Sequence, residues 1–205
     1  MKNPIVKVCG VTDLHQAFIM EAWDVSYLGF NFVKNSKRYI TPNAASEITA
    51  EMQPSTMCTG VFQNHSFEEI IYIIKIAGLD CIQLHGDESP EFCAKFDLPV
   101  IKVFHMDENF DFNEVGQYTE SCSIFLFDSK IQGQAGGTGE VFDWKKLDNL
   151  TRDKPFWLAG GLGADNIKEA LITFKPDGID LNSKIEIAPG DKDLKLLEEC
   201  LSLIN

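Results

Sequence analysis

Two side chains with proton-transfer chemistry, Cys9 and Asp128, each close a short run of β-branched and aromatic residues, at Ile5–Cys9 and Ser123–Asp128. A thiol accepts a proton only as thiolate, and an ordinary pKa near about 8.5 leaves a few per cent ionised at neutral pH. A carboxyl acting as the acid has the opposite need: burial or a nearby negative charge must keep its proton on. Lys7 and Arg38 are cations that could favour the thiolate, and the planar fork of Arg38 also suits bidentate grip of a carboxylate. Gly160-Gly161 and Asn182-Ser183 follow apolar runs and precede helical patterns, where backbone N–H groups can face a phosphate. Gln83 and His85 end another such run. Each residue has a plainer reading: a core thiol, a loop carboxylate, a solvated arginine, a histidine bonded within its strand. His15, His65 and His105 read as surface or loop residues. No H-E-x-x-H, P-loop, EF-hand or G-x-S-x-G pattern occurs, so no metal is expected. The stretch GQAGGTG at 133–139 lacks dinucleotide-loop spacing and reads as a lid.

Positioning these groups on one face requires a regular scaffold. Eight strand-like runs fall at Ile5–Cys9, Val25–Val33, Met57–Phe62, Asp80–Leu84, Pro99–Phe104, Ser123–Asp128, Phe156–Ala159 and Gly178–Asn182. Helix-like stretches follow them at Asp13–Trp23, Pro42–Met52, Phe67–Ala77, Pro90–Phe96, Glu108–Glu120, Asp143–Leu150, Ala164–Phe174 and Asp191–Leu203. Thr12, Thr41, Ser66 and Ser89 stand at N-cap positions and Gly78 at a C-cap. Strands that read as near-continuous apolar runs imply a parallel sheet covered on both faces. Eight such α/β units predict a single-domain (β/α)8 TIM barrel over residues 1–205, compact and with few insertions. In that fold chemistry belongs at the C-terminal ends of the strands, where the candidate residues cluster.

The 205 residues carry 18 Lys+Arg against 31 Asp+Glu, a net charge of 18 − 31 = −13, which argues against nucleic acid or an anionic membrane as partner. A small anionic ligand remains open, because a pocket is judged by its own residues. No apolar run approaches the roughly 20 residues of a membrane span, and the start lacks a secretory leader pattern. Six scattered cysteines without a C-x-x-C pair favour reduced thiols and a cytoplasmic setting.

KVCGVT at the first strand, SKRYI after the second, IQLHGDE at the fourth, and FDS followed by GGTGEVFDW at the sixth resemble the phosphoribosylanthranilate isomerases of tryptophan biosynthesis. LAGGL with Asn166 at the seventh strand and GIDLNSKIEIAPGDKD at the eighth extend the likeness over nearly the whole chain. The resemblance implies a cofactor-free Amadori rearrangement of a small anionic sugar phosphate, N-(5′-phosphoribosyl)anthranilate. It implies Cys9 as general base, Asp128 as general acid and Arg38 on the anthranilate carboxylate. Gln83, His85, Gly160, Gly161, Asp180, Asn182 and Ser183 are the further substrate-binding positions it suggests. Lys184 departs from the family pattern, which has glycine there; if that position needs positive φ, a lysine costs about 1 kcal/mol. Two rivals stand beside this reading. One is another sugar-phosphate barrel enzyme: a related synthase is expected to carry an extra N-terminal segment and a catalytic lysine, and a histidine-pathway isomerase an aspartate in place of Cys9. The other is a catalytically idle binding barrel. Monomer and homodimer both remain open.

Overall fold

Strands of four to six residues that are apolar on both faces are stable only when both faces are covered. The computed structural model describes residues 3–106, 110–128 and 153–204, and there the cover comes from helices outside and packed side chains within. The order is β1 Ile5–Cys9, α1 Leu14–Ala22, β2 Tyr27–Asn31, α2 Pro42–Thr49, β3 Met57–Phe62, α3 Phe67–Ala77, β4 Cys81–Leu84 and α4 Pro90–Cys93. It continues with β5 Val100–His105, α5 Phe112–Val115, β6 Ile124–Asp128, β7 Phe156–Ala159, α6 Ile167–Phe174 and β8 Gly178–Leu181. A short hairpin, β9 Glu186–Ala188 with β10 Asp191–Lys192, precedes α7 Leu194–Ile204. Every barrel strand pairs in parallel with the next, and β8 returns to β1 from Ile5↔Gly178 to Val8↔Leu181. The result is a closed (β/α)8 barrel.

Side-chain alternation divides the apolar residues into two cores. Cys81, Ile101, Val103, Ile124, Leu126, Trp157 and Ala159 fill the barrel interior. Val8, Leu28, Phe30, Phe62, Ile82, Phe127 and Ile179 face outward into the helical layer. Polar residues interrupt the interior: Lys7, Thr59, Gln83 and Asp180 are all buried.

The helices begin where side chains can satisfy the first free N–H groups. Thr41, Ser66 and Ser89 cap α2, α3 and α4; Ser66 also exchanges bonds with Glu69, and Gly78 closes α3 at φ +59°. α1 is capped by Asp13 rather than Thr12, whose hydroxyl instead donates to the Gly190 carbonyl at 2.7 Å. Of the helix expected over Glu108–Glu120, the described part, from Phe110 on, holds α5 and a 3-10 turn at Gly116–Tyr118, since Phe104, Phe110, Phe112 and Phe127 draw this segment into an aromatic cluster. α4 likewise ends at Cys93, short of Phe96. The last helix starts at Leu194, where Asp193 accepts from the Lys195 and Leu196 amides, because Asp191–Lys192 is taken up by the hairpin. The helix expected over Asp143–Leu150 and the glycine-rich stretch after Asp128 lie outside the described residues. No helix among the described residues is long and apolar enough to cross a membrane.

Candidate active site

Cys9 is the last residue of β1 and is buried at the mouth formed by the strand C-termini. Lys7 lies two residues earlier on the same interior face, and its Nζ meets Asp180 Oδ2 of β8, its register partner, at 2.7 Å. Gly29, the register partner of Cys9 on β2, lets these groups share the space. A Cβ there would lie 3.0 Å from both Cys9 Sγ and Lys7 Nζ. Burial pushes the Cys9 thiol pKa up, and the adjacent Lys7 ammonium opposes that without cancelling it. Burial works to lower the Lys7 pKa, but Asp180 and Cys9 outweigh it, so the ammonium stays charged. The thiol thus rests protonated beside a fixed positive charge that favours its ionised form.

Asp128 ends β6, three strands round the barrel from the β1 of Cys9 by one path and five by the other, and so faces Cys9 across the same mouth. Its Oδ2 lies 3.8 Å from His85 Nε2 on the loop side of β4. Burial, with His105, Lys7 and Lys102 nearby, brings the His85 pKa down to about 3, so the contact joins a neutral imidazole to the carboxyl. Gln83, buried one turn of the pleat below, meets His85 Nδ1 at 3.3 Å. His105 ends β5 as the register partner of Asp128, and its ring centroid lies 4.8 Å from that of His85. The strand-end position corrects the sequence reading of His105 as a surface or loop residue. A cavity of about 320 Å³ runs from His85 to Asn35 and Ser36, on the loop that carries Arg38.

Arg38 is gripped by Glu186 of the hairpin: Nε donates to Oε1 at 2.8 Å and Nη2 to Oε2 at 2.5 Å. Lys192, also buried, donates to the Glu186 carboxylate at 2.7 Å, to Asn182 Oδ1 at 3.0 Å and to the Cys9 carbonyl at 2.5 Å. Burial opposes ionisation of Glu186, but hydrogen bonds from Arg38 and Lys192 prevail and bring its pKa down to about 2. After β7, Gly160 and Gly161 turn at φ +94° and +71°, a conformation that favours glycine. Asn166 secures that turn by accepting from the Gly163 amide and donating to the Gly161 carbonyl. Ser183–Ile185 form a 3-10 turn after Asn182. Lys184 lies within it at ordinary negative φ, so the lysine carries no left-handed strain, and its amine pairs with Asp165. Asp180 is directed to Lys7.

Residues 6–202 match the family model described as N-(5'phosphoribosyl)anthranilate (PRA) isomerase. The chain belongs to the phosphoribosylanthranilate isomerase family. These are aldose–ketose isomerases. A relative from Nostoc punctiforme, named N-(5'-phosphoribosyl)anthranilate isomerase, is 40% identical over 194 residues, covering 92% of each chain. Among solved structures, the phosphoribosyl anthranilate isomerase of Thermotoga maritima superimposes with a TM-score of 0.88 at 31% identity over 98% of both chains. A second isomerase structure, TM-score 0.85 at 29% identity over 98% of both chains, holds reduced 1-(o-carboxyphenylamino)-1-deoxyribulose 5-phosphate.

Within this isomerase barrel, sequence reasoning singled out Cys9, Asp128, Arg38 and the turns at Gly160–Gly161 and Asn182–Ser183, and all of them lie at the one mouth. It missed Glu186 and Lys192, which hold Arg38 and the end of β1, and His105 beside Asp128. The signal for Glu186 was present in principle: a lone acidic residue flanked by Ile185 and Ile187 after a short strand. His105 had none, because its partners come from two other strands.

Proposed function

We propose that this chain converts N-(5′-phosphoribosyl)anthranilate to 1-(2-carboxyphenylamino)-1-deoxyribulose 5-phosphate in tryptophan biosynthesis. The observation that carries the reading is a thiol beside a buried ammonium facing a carboxyl across one barrel mouth, in a chain of the isomerase family. Asp128 protonates the ring oxygen of the ribose, the C1′–O bond breaks, and the anilino nitrogen's lone pair forms the C=N bond of a Schiff base. Cys9, ionised beside Lys7, removes the proton from C2′, and the electrons of that bond give an enolamine. A proton then adds at C1′ while the C2′ hydroxyl gives its proton up, and the C2′–O bond becomes the carbonyl of the ketone. The substrate's own nitrogen carries the electron shift, so the chemistry calls for no cofactor.

Arg38 receives the anthranilate carboxylate. Its Nε and Nη2 remain on Glu186, which leaves Nη1, without a partner among the described residues, for the ligand. The phosphate takes the turns at Gly160–Gly161 and Asn182–Ser183, where backbone N–H groups and the start of α6 supply positive potential. Gln83, His85 and Asp180 border the ribose. The test is loss of anthranilate-moiety fluorescence with freshly prepared substrate. Cys9→Ala and Asp128→Asn should each lower kcat about 10²–10⁴-fold, the usual worth of a positioned acid or base, with circular dichroism unchanged. Near wild-type turnover in either variant removes that residue from the mechanism.

A further inference from the structure

We propose that His85, His105 and Asp128 form a binding site for a transition-metal dication of the Zn²⁺ class, and that its occupancy blocks the isomerase. The three residues end or follow consecutive strands β4, β5 and β6, and His105 and Asp128 are register partners. One ligand atom from each lies within 4.8 Å of the other two, and His85 Nε2 lies 3.8 Å from Asp128 Oδ2. Ligands of a tetrahedral zinc at about 2.0–2.1 Å stand about 3.3 Å apart. Small rotations of two imidazoles about their ring bonds therefore close the cluster on an ion, with the barrel backbone left in place. Two imidazoles and one carboxylate select borderline metals over Mg²⁺ or Ca²⁺, which take oxygen ligands. The nearest lysines do not offset this: Lys7 is paired with Asp180, and Lys102 with Glu88 at 3.0 Å.

The surroundings independently suit metal-bound histidine, whose second ring nitrogen needs an acceptor to orient it. Gln83 touches His85 Nδ1, yet its Oε1 is buried without a hydrogen-bond partner among the described residues. Turning the Gln83 amide over presents that oxygen to Nδ1–H and frees the Nε2 lone pair for the ion. His105 Nε2 lies 3.3 Å from the His85 carbonyl, an acceptor that orients His105 in the same way and leaves its Nδ1 lone pair available. The remaining coordination position opens into the mouth. An Asp128 carboxylate bound to the ion cannot deliver a proton, so turnover stops; this half of the proposal rests on the role given to Asp128 above, while binding does not.

The experiment is calorimetric titration of the reduced, metal-stripped protein with Zn²⁺, alongside Co²⁺ absorption and isomerase assays. One equivalent of Zn²⁺ should bind, Mg²⁺ should not, and Zn²⁺ should inhibit reversibly with chelator. His105→Asn should weaken both the affinity for Zn²⁺ and the inhibition, each compared with the same variant's metal-free turnover, at least 10-fold. Equal binding and inhibition in His105→Asn overturns the site, as does the absence of a one-equivalent isotherm. A thiolate-to-cobalt charge-transfer band in the wild type overturns it without any variant, because the site contains no cysteine. A protein inactive even without metal would defeat the isomerase reading and leave calorimetry to decide the binding site.

Discussion

Cys9 cannot rely on its intrinsic acidity, because burial keeps the proton on, and the group that works against burial is Lys7. Lys7 acts as a positioning residue held by Asp180, and removing it alone would leave a buried carboxylate unpaired, at a cost of about 3–5 kcal/mol. The cleaner variant is Lys7→Met combined with Asp180→Asn, which removes both charges. Loss of Lys7 raises the Cys9 pKa and loss of Asp180 lowers it, and the attraction of Lys7 is the larger of the two. The expected outcome is a limb of the kcat/KM profile displaced to higher pH, with kcat at neutral pH reduced about ten-fold or more. An undisplaced limb would show that Lys7 does not set the ionisation of Cys9. The sequence marked Lys7 as a cation that could favour the thiolate but not what holds it; Asp180, 173 residues beyond Lys7, arrives through closure of the barrel.

At the scale of elements, the strands and the capped helices were readable because their signals are local. β1, β3, β7 and α3 have the boundaries expected from their apolar runs and from Ser66 and Gly78. The β9–β10 hairpin was not, since strands of three and two residues have no period to detect and their pairing is tertiary. Yet this hairpin delivers Glu186 between Arg38 and Lys192. A carboxyl whose folded pKa is depressed stabilises the fold fully above its ordinary pKa near about 4.3. That contribution fades as the pH falls toward about 2, the folded value for Glu186. Glu186→Gln should therefore lower stability at pH 7 by on the order of 2 kcal/mol, the loss of charge-assisted hydrogen bonds to two cations. The gap between variant and wild type should narrow as pH drops from about 4.3 toward 2. Urea midpoints at pH 7, 4 and 3 measure it, and a gap that stays constant would mean that Glu186 contributes packing rather than charge.

For the whole molecule, eight α/β units close into a barrel only if the interior is filled, and the largest side chain doing so is Trp157 on β7. Its indole reaches Tyr27 of β2 edge-on, with ring centroids 4.8 Å apart and planes at 84°, and so spans the barrel between strands that are not neighbours. It also lies where a Cβ on Gly178 would have to sit. The indole N–H, however, has no hydrogen-bond partner among the described residues, so the contribution of this side chain is volume and aromatic contact. Volume loss and loss of the polar atom can be separated. Trp157→Ala empties the centre and should destabilise by about 3–5 kcal/mol. Trp157→Phe keeps most of the ring contact, discards a buried donor that makes no bond, and should cost less than about 1.5 kcal/mol. Urea unfolding followed by far-ultraviolet circular dichroism, which does not depend on the tryptophan signal, gives both values. Equal losses in the two variants would mean that the indole N–H carries the stabilisation and that filling the barrel does not.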